Sequence, residues 1–316
     1  SKDLLYGLDL ASSSGYSSIL SNIGAMKNNG IEIDLKGTVF TTKNLALDLG
    51  INMAHYRNKI TSFPVKKGVQ SGTKFLIEGG DIYAFKLVEW AGNTKEGEQL
   101  YDRDSKTKEI VEARLANAGE PAWYLFDENG KRYKTNKYST ASVNDRQNMG
   151  SALPKLYGGI NFDFKVYDFT ISALFSYSLG GKLYATDYLG NYSYGTSKGR
   201  PLAQEMINRW TPENQDTDLP RLTTKSISES FSSQSSRHLY DGSYGRLKNF
   251  AVTYNIPQTV LKKVKMANAS VFFQGENLFT IFGTEGIDPE SGGLNGTTSY
   301  RYPAVKTCSF GVNMTF

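Results

Sequence analysis

Apolar and polar positions alternate strictly through several stretches of the chain. In the last of them Cys308, Phe310, Val312, Met314 and Phe316 fall on one side and Thr307, Ser309, Gly311, Asn313 and Thr315 on the other. A period of two is the signature of a β-strand with one face away from water. Leu45, Leu47, Leu49, Ile51 and Met53 alternate in the same way with Ala46, Asp48, Gly50, Asn52 and Ala54. Phe169, Ile171, Ala173, Phe175, Tyr177 and Leu179 alternate with Thr170, Ser172, Ser176 and Ser178, and Leu174 is the exception. Further strands are predicted over 31–40, 156–167, 244–255 and 266–274, with 81–90 and 4–10 as additional members. In all, the pattern predicts about eight to ten strands.

Alternation fits a soluble sandwich as well as a membrane barrel, and connection lengths separate the two. Thr41, Thr42 and Lys43 form one tight turn and Asp168 centres another, whereas 180–243 and 276–304 are long, polar and rich in Gly, Ser and Asn. Tight turns at one end and long loops at the other are the asymmetry of outer-membrane barrels. If the last strand runs toward the periplasm, successive strands alternate in direction and both tight turns fall on the periplasmic side. An even number of spans is then required between 56 and 156, with 81–90 in one pair. The Ser-rich stretch 226–236 reads as part of a mobile surface loop.

Composition agrees with β structure. Of 316 residues 39% are hydrophobic, while aromatics reach 13% and Gly numbers 31, which makes the chain polar, aromatic and turn-rich. No run of about eighteen apolar residues occurs, which excludes a helical span but not barrel strands, which carry half an apolar signal each, so a mean hydropathy of -0.43 is compatible with a membrane protein. The net charge of +5 is spread without a basic block, so nucleic acid is not an expected partner. A single cysteine, Cys308, with His55 and His238, supports neither an internal disulfide nor a zinc site. The chain opens at Ser1 without an initiator Met or signal peptide, as a mature product or a piece of something longer.

No catalytic constellation emerges, and no cofactor is expected. The nucleophile elbow, the phosphate loop and the dinucleotide fingerprint are missing, and Gly180, Gly181 and Lys182 lack the upstream glycine a phosphate loop needs. His55 lies at a predicted strand end and His238 in a polar segment, both read as surface residues. Asp102 and Asp104 lack the glycine and closing glutamate of a calcium loop. Among aromatics, Trp90, Tyr157, Tyr167, Tyr177 and Tyr254 fit the interfacial girdles of a barrel. Trp123, Tyr124 and Trp210 sit in polar segments, where they stack on a ligand, contact a partner or pack within the loop.

Several motifs, in order and over nearly the whole chain, resemble the SusC/RagA family of TonB-dependent outer-membrane transporters. Asn22, Ile23 and Gly24 precede Asn28, Asn29, Gly30, Ile31 and Glu32. Arg209, Trp210, Thr211, Pro212, Glu213 and Asn214 are followed by Pro220 and Arg221. Asp241, Gly242, Ser243, Tyr244, Gly245, Arg246, Leu247, Lys248 and Asn249 open a predicted strand. Gly275, Glu276, Asn277, Leu278 and Phe279 precede Gly286, Ile287, Asp288, Pro289 and Glu290, and Tyr302 and Pro303 precede the final strand. In physical terms Asp288, Pro289 and Glu290 predict a turn, and Asn277 a side chain bonding local backbone at a strand end.

The resemblance implies an all-β, antiparallel transmembrane β-barrel, of which residues 1–316 are the C-terminal portion, with eight to ten of about 22 strands. The plug and the N-terminal barrel half lie outside it, so gating is assigned to no residue here. It further implies import of oligosaccharides or oligopeptides across the bacterial outer membrane, with a SusD-like lipoprotein as partner and the TonB complex acting through the missing part. Loops bearing Trp123, Tyr124, Trp210 and Arg221 would meet ligand or partner, and Phe310, Val312, Met314 and Phe316 would form the barrel-insertion signal. A self-contained small barrel, porin or adhesin, and a soluble carbohydrate-binding sandwich are the alternatives.

Overall fold

The computed structural model describes residues 4–9, 13, 15–16, 18–103, 109–114, 118–187, 202–222, 233–283 and 286–316. Its strands are β1 (Leu4–Asp9), β2 (Ser18–Thr41), β3 (Leu45–Ser62), β4 (Val69–Ser71), β5 (Lys74–Leu76), β6 (Ala84–Asn93), β7 (Gln99–Arg103), β8 (Ile110–Arg114) and β9 (Pro121–Phe126). They continue as β10 (Arg132–Thr135), β11 (Arg146–Ser151), β12 (Leu156–Val166), β13 (Phe169–Leu179), β14 (Lys182–Tyr184), β15 (Leu239–Asp241), β16 (Tyr244–Asn255), β17 (Asn268–Phe282) and β18 (Thr307–Thr315). Eight of these form one antiparallel sheet in the order β1-β2-β3-β12-β13-β16-β17-β18. The fold is all-β, and its large sheet is of the barrel-wall type.

Register turns the alternation of single strands into a continuous face. Leu35 pairs with Ile51, Ile51 with Ile160, Ile160 with Phe175, Phe175 with Leu247 and Leu247 with Phe279. A second row runs Phe40, Leu47, Phe164, Ile171, Val252, Phe273 and Phe310. Aromatic pairs reinforce the face, with ring centroids 6.4 Å apart for Phe40 and Phe164, 4.7 Å for Phe169 and Tyr254 and 5.0 Å for Phe273 and Phe310. Nothing in the described chain covers it: Ile31 is 68% exposed and Phe310 79%. The opposite face carries Asp48, Asp163 and Ser172 in one row, with Thr38 and Ser172 hydroxyls donating to Asp48 and Asp163.

The two ends of the sheet differ as the turn lengths predict. Residues 42–44 join β2 to β3, and Tyr167 and Asp168 join β12 to β13, with Tyr167 in a left-handed conformation (φ 52°). A short helical segment (Gln258–Leu261) joins β16 to β17 at the same end. At the other end lie residues 63–155, 180–243 and 283–306. β3 pairs directly with β12, so the even number of spans predicted between them is zero. The stretch 81–90 is not in the wall: β6 lies in a loop sheet of order β10-β9-β6-β5-β4, with β11 also paired to β6. Phe85, Leu87 and Val88 are all fully buried, so β6 has apolar contacts on both faces, as the interior strand of a packed module does. β17 runs on to Phe282 through a bulge instead of ending near Gln274.

The hydrophobic core sits in the loops, not under the wall. Val88, Trp123, Leu125 and Tyr133 form one cluster, and Phe85, Leu87 and Tyr184 another. Phe85 stacks on Tyr184 at 6.2 Å, which fuses the loop over 63–155 to the loop over 180–243. Arg103 clamps the Asp145 carboxylate with both guanidinium ends, at 2.8 and 3.0 Å. Asp145 also accepts the Phe126 and Ser142 N–H groups. Contrary to expectation, His238 is 1% exposed rather than on the surface, and Ser235 is fully buried. Ser236 accepts the Trp90 N–H, so the described end of the Ser-rich stretch is packed. Residues 226–232 and Asp104 lie outside the described residues, and Asp102 takes the Lys137 ammonium. His55 lies within β3, its Nδ1 2.5 Å from the Lys155 carbonyl.

Lys74 is the module's titratable weak point. Its ammonium donates to the Tyr83 carbonyl at 3.0 Å and lies 3.0 Å above the Phe85 ring centroid. Burial lowers its pKa to about 7, against the opposing pull of Asp81. Between pH 7 and the ordinary value of 10.5 the unfolded chain binds the proton and the folded one does not, so stability rises with pH in that window. Unfolding of the loop module followed from pH 7 to 10 is expected to show this rise, and Lys74→Met to flatten it. Identical slopes for both proteins would remove Lys74 as the cause.

Candidate functional site

The loops meet the wall at the start of β16, where alternation and a bulge aim three polar side chains at one carboxylate turn. Tyr244 and Arg246 share the polar face. Pairing on both sides of β16 skips Lys248, because Leu247 and Asn249 are the paired neighbours. Such a bulge re-aims a side chain, and the Lys248 ammonium reaches Glu290 at 2.6 Å. Arg246, 3% exposed, donates to Asp288 at 2.6 Å, to Glu290 at 2.5 Å and through Nε to Thr280 at 2.9 Å. The Tyr244 hydroxyl donates to Glu290 at 2.9 Å. Asp288 also accepts the N–H groups of Glu290 and Ala304, so the expected turn is present and ties both ends of the loop over 283–306. Asn277 (φ 51°) donates to the distant Val305 carbonyl rather than to local backbone.

Beside this cluster a cavity of about 610 Å³ opens between the polar face of the wall and the loops. Tyr56 and Tyr157 line it as a tilted pair 6.0 Å apart, with Tyr244 and Glu290 near them and Lys182 on the loop side. Tyr157 has the parity of Asn161 and Asp163, so it faces the polar side and is not part of an outer girdle. Trp90 leaves the girdle too: it packs edge-on against Trp123 at 5.8 Å within the loop module. Tyr177 and Tyr254 keep the parity of the apolar face near its two ends, and Tyr167 occupies the turn. The Tyr56 and Tyr157 pair and the Arg246 cluster were not among the expected sites. The sequence signal for the first was parity, and for the second the opposed charges of two separate motifs.

The four expected contact residues stand in the loop module. Trp123 is fully buried, with its ring 5.3 Å from that of Tyr138, and leaves no face to a ligand. Tyr124 is half-buried beneath the Arg132 guanidinium, 4.0 Å from its ring centroid. Trp210 lies flat on Gly119, where a Cβ would fall 2.5 Å from the indole; Gly119 has φ +82° as well. Its other side borders a second cavity of about 610 Å³, lined also by Asn93, Lys95, Gln215, Asp216 and Asp218. Arg221 pairs at 2.6 Å with Glu120, itself nearly buried, whose other oxygen accepts from Asn136. Trp210 and Arg221 thereby lock the loop over 203–222 onto the module. Phe310, Val312, Met314 and Phe316 stand on the uncovered face of the last strand, between 53% and 88% exposed.

Burial works to raise the Asp288 carboxyl, but Arg246 and the two backbone donors outweigh it and hold it below the ordinary carboxylate range. A depressed carboxylate contributes stability above its unfolded pKa and loses it as pH falls through the folded one. The cluster is therefore expected to survive to below about pH 4 and to release the loop under stronger acid. Arg246→Met, which leaves Asp288 without its cation and Glu290 with Lys248 alone, is expected to cost roughly 3–5 kcal/mol in denaturant unfolding and to expose residues 286–306 to protease. Unchanged stability and cleavage would show that the cluster holds nothing.

No family model matches the chain. Among curated proteins it is similar to TonB-dependent receptor P3 of Formosa agariphila, 30% identical over 345 residues that take in 100% of this chain and 31% of that protein. TonB-dependent receptor P26 of the same organism is 27% identical over 331 residues, 99% of this chain and 31% of that protein. Among solved structures, that of the RagAB peptide transporter matches with a TM-score of 0.74 at 25% identity, covering 100% of this chain and 32% of that one. The RagAB peptide importer in the closed-closed state matches with a TM-score of 0.75 at the same identity and coverage. The chain thus spans about a third of the length of its relatives. It is a homologue, over its full length, of TonB-dependent receptors, with the fold of a SusC/RagA-like barrel segment.

Proposed function

We propose that the chain is the C-terminal portion of the barrel of a TonB-dependent importer in the bacterial outer membrane. The plug and the remaining strands lie in other parts of the same receptor, through which the TonB complex acts. Oligosaccharides or oligopeptides are its cargo, captured together with a SusD-like surface lipoprotein. One observation carries the reading: an eight-stranded sheet with an apolar face in register and uncovered, and with β1 and β18 unpaired to each other. In lipid an open edge leaves backbone groups without partners, so both edges require further strands. That argues against a self-contained small barrel, which must close on itself. A soluble sandwich would need a second sheet over the apolar face, and none of the described residues supplies it. The names of the relatives, receptors dependent on TonB and a peptide importer, point the same way.

Within this reading Phe310, Val312, Met314 and Phe316 form the insertion signal of the barrel, and outer-membrane lipid covers their face. Trp210, bordering its polar cavity, is the contact residue toward ligand or lipoprotein, while Tyr124, Arg221 and the buried Trp123 belong to the loop module that carries it. The native protein carrying this sequence is expected in purified outer membranes at a mass far above 35.0 kDa, and cells lacking it are expected to lose energy-dependent uptake of its cargo. A stable species of 35.0 kDa that forms pores unaided would overturn the assignment. Trp210→Ala is expected to weaken cargo or lipoprotein binding by about tenfold or more; equal affinities for both would remove Trp210 from the contact surface.

A further inference from the structure

The cavity beneath the loops carries a chemistry that narrows the cargo, and the inference rests on the import reading. Tyr56, Tyr157 and Tyr244 line it with Ser176, Ser178 and Lys182, and its size of about 610 Å³ falls in the usual range for ligand pockets. The strands behind it, β2, β3, β12, β13 and β16, are each paired on both sides, so their N–H and C=O groups are consumed. A peptide recognised by strand addition needs a free edge, and this wall offers only a face. Recognition there falls to side chains. Phenol rings present flat apolar faces with a polar tip, and the Ser176 hydroxyl is buried without a protein partner. Flat C–H faces rimmed by hydroxyls, as in a pyranose, match both.

Charge selects further. Glu290 is the carboxylate among the lining residues, and its oxygens are taken by Tyr244, Arg246 and Lys248. Two cations line the cavity, Arg57, which is exposed and screened by water, and Lys182, which is half-buried; neither makes an ion pair among the described residues. Asp241, opposite Lys182 in the β14–β15 register, feels the Lys182 charge without pairing with it, and its Oδ1 takes the Ser243 hydroxyl and N–H. A partly desolvated cation without an ion-pair partner favours an anion beside it. We propose that this cavity binds an oligosaccharide bearing carboxylate or sulfate groups, with Lys182 facing the anionic group, Tyr56 and Tyr157 against a sugar face and Ser176 on a sugar hydroxyl.

Calorimetric titration of the full-length receptor in detergent tests this with a tri-uronate, a sulfated trisaccharide, a neutral trisaccharide of the same size and tetraglutamate. At least one acidic trisaccharide is expected to bind about tenfold tighter than the neutral one, a difference of about 1.4 kcal/mol. The uronate and sulfate arms tell which anion is preferred. Lys182→Gln is expected to erase the preference and Lys182→Arg to keep it, while Tyr157→Ala weakens acidic and neutral sugars alike. Equal binding of acidic and neutral sugars, a preference that survives Lys182→Gln, or tetraglutamate binding tightest would each overturn the proposal. Energised uptake by cells is scored separately, so a receptor that imports without charge preference loses this inference and retains the transport reading.

Discussion

A sheet whose apolar residues stand in register on one face, with no part of the described chain to cover them, constrains everything else in this protein. Each cross-strand pair from Leu35 to Phe279 extends the same uncovered band, and in water that area would drive association. The face needs an apolar solvent or a partner as large as itself. Backbone hydrogen bonding adds the second half of the constraint: inner strands satisfy one another, whereas among the described residues β1 and β18 each keep an unpaired side. In the proposed importer a lipid-facing wall would solve the first problem, and closure through further strands the second.

Freed from the need to pack a core under the wall, the chain places its core elsewhere. Trp123, Phe85, Leu87, Val88, Leu125 and Tyr184 are all fully or almost fully buried, and all lie in the long connections. Those connections therefore behave as a folded module with its own sheet, its own buried ion pair between Arg103 and Asp145, and its own aromatic stack. The loop over 203–222 is clamped to the module by Trp210 on Gly119 and Arg221 on Glu120. The loop over 283–306 is clamped to the wall by Arg246. Two motif clusters distant in sequence thus share one physical task, which is to hold long polar segments in fixed places over the polar face.

How much of this was legible in the sequence follows from which interactions are local. Alternation along 45–54, 169–179 and 307–316 places wall strands directly, because a strand in a two-sided sheet records its environment in every second residue. The tight turns at 42–44 and 167–168 are equally local. The loop module is not: nothing near Trp90 or Trp123 in the chain distinguishes a girdle or a ligand platform from a core, since the partners that bury them are the non-local Tyr138, Met206 and Leu219. The strand at 84–93 misleads for the same reason, as an apolar run buried on both faces by its own module resembles a wall strand in isolation. His238 illustrates the polar counterpart, a histidine in a hydrophilic segment that folding nonetheless buries.

The candidate site shows the same division from its other side. Parity alone puts Tyr157 with Asn161 and Asp163 rather than with Ile160 and Phe162, so its place on the polar face is written into the strand's own alternation. What parity does not supply is the ceiling: Pro289 and Glu290 line the cavity because Arg246, Lys248 and Tyr244 hold them there. Those three spend their charge and hydroxyl on Glu290, which removes the carboxylate from the cavity's chemistry and leaves the half-buried Lys182, with the exposed Arg57, to set its sign. A buried ion cluster of this kind gives little net stability compared with apolar packing. Its retention here is accounted for by geometry, since it fixes the shape and the charge of the adjoining cavity at once.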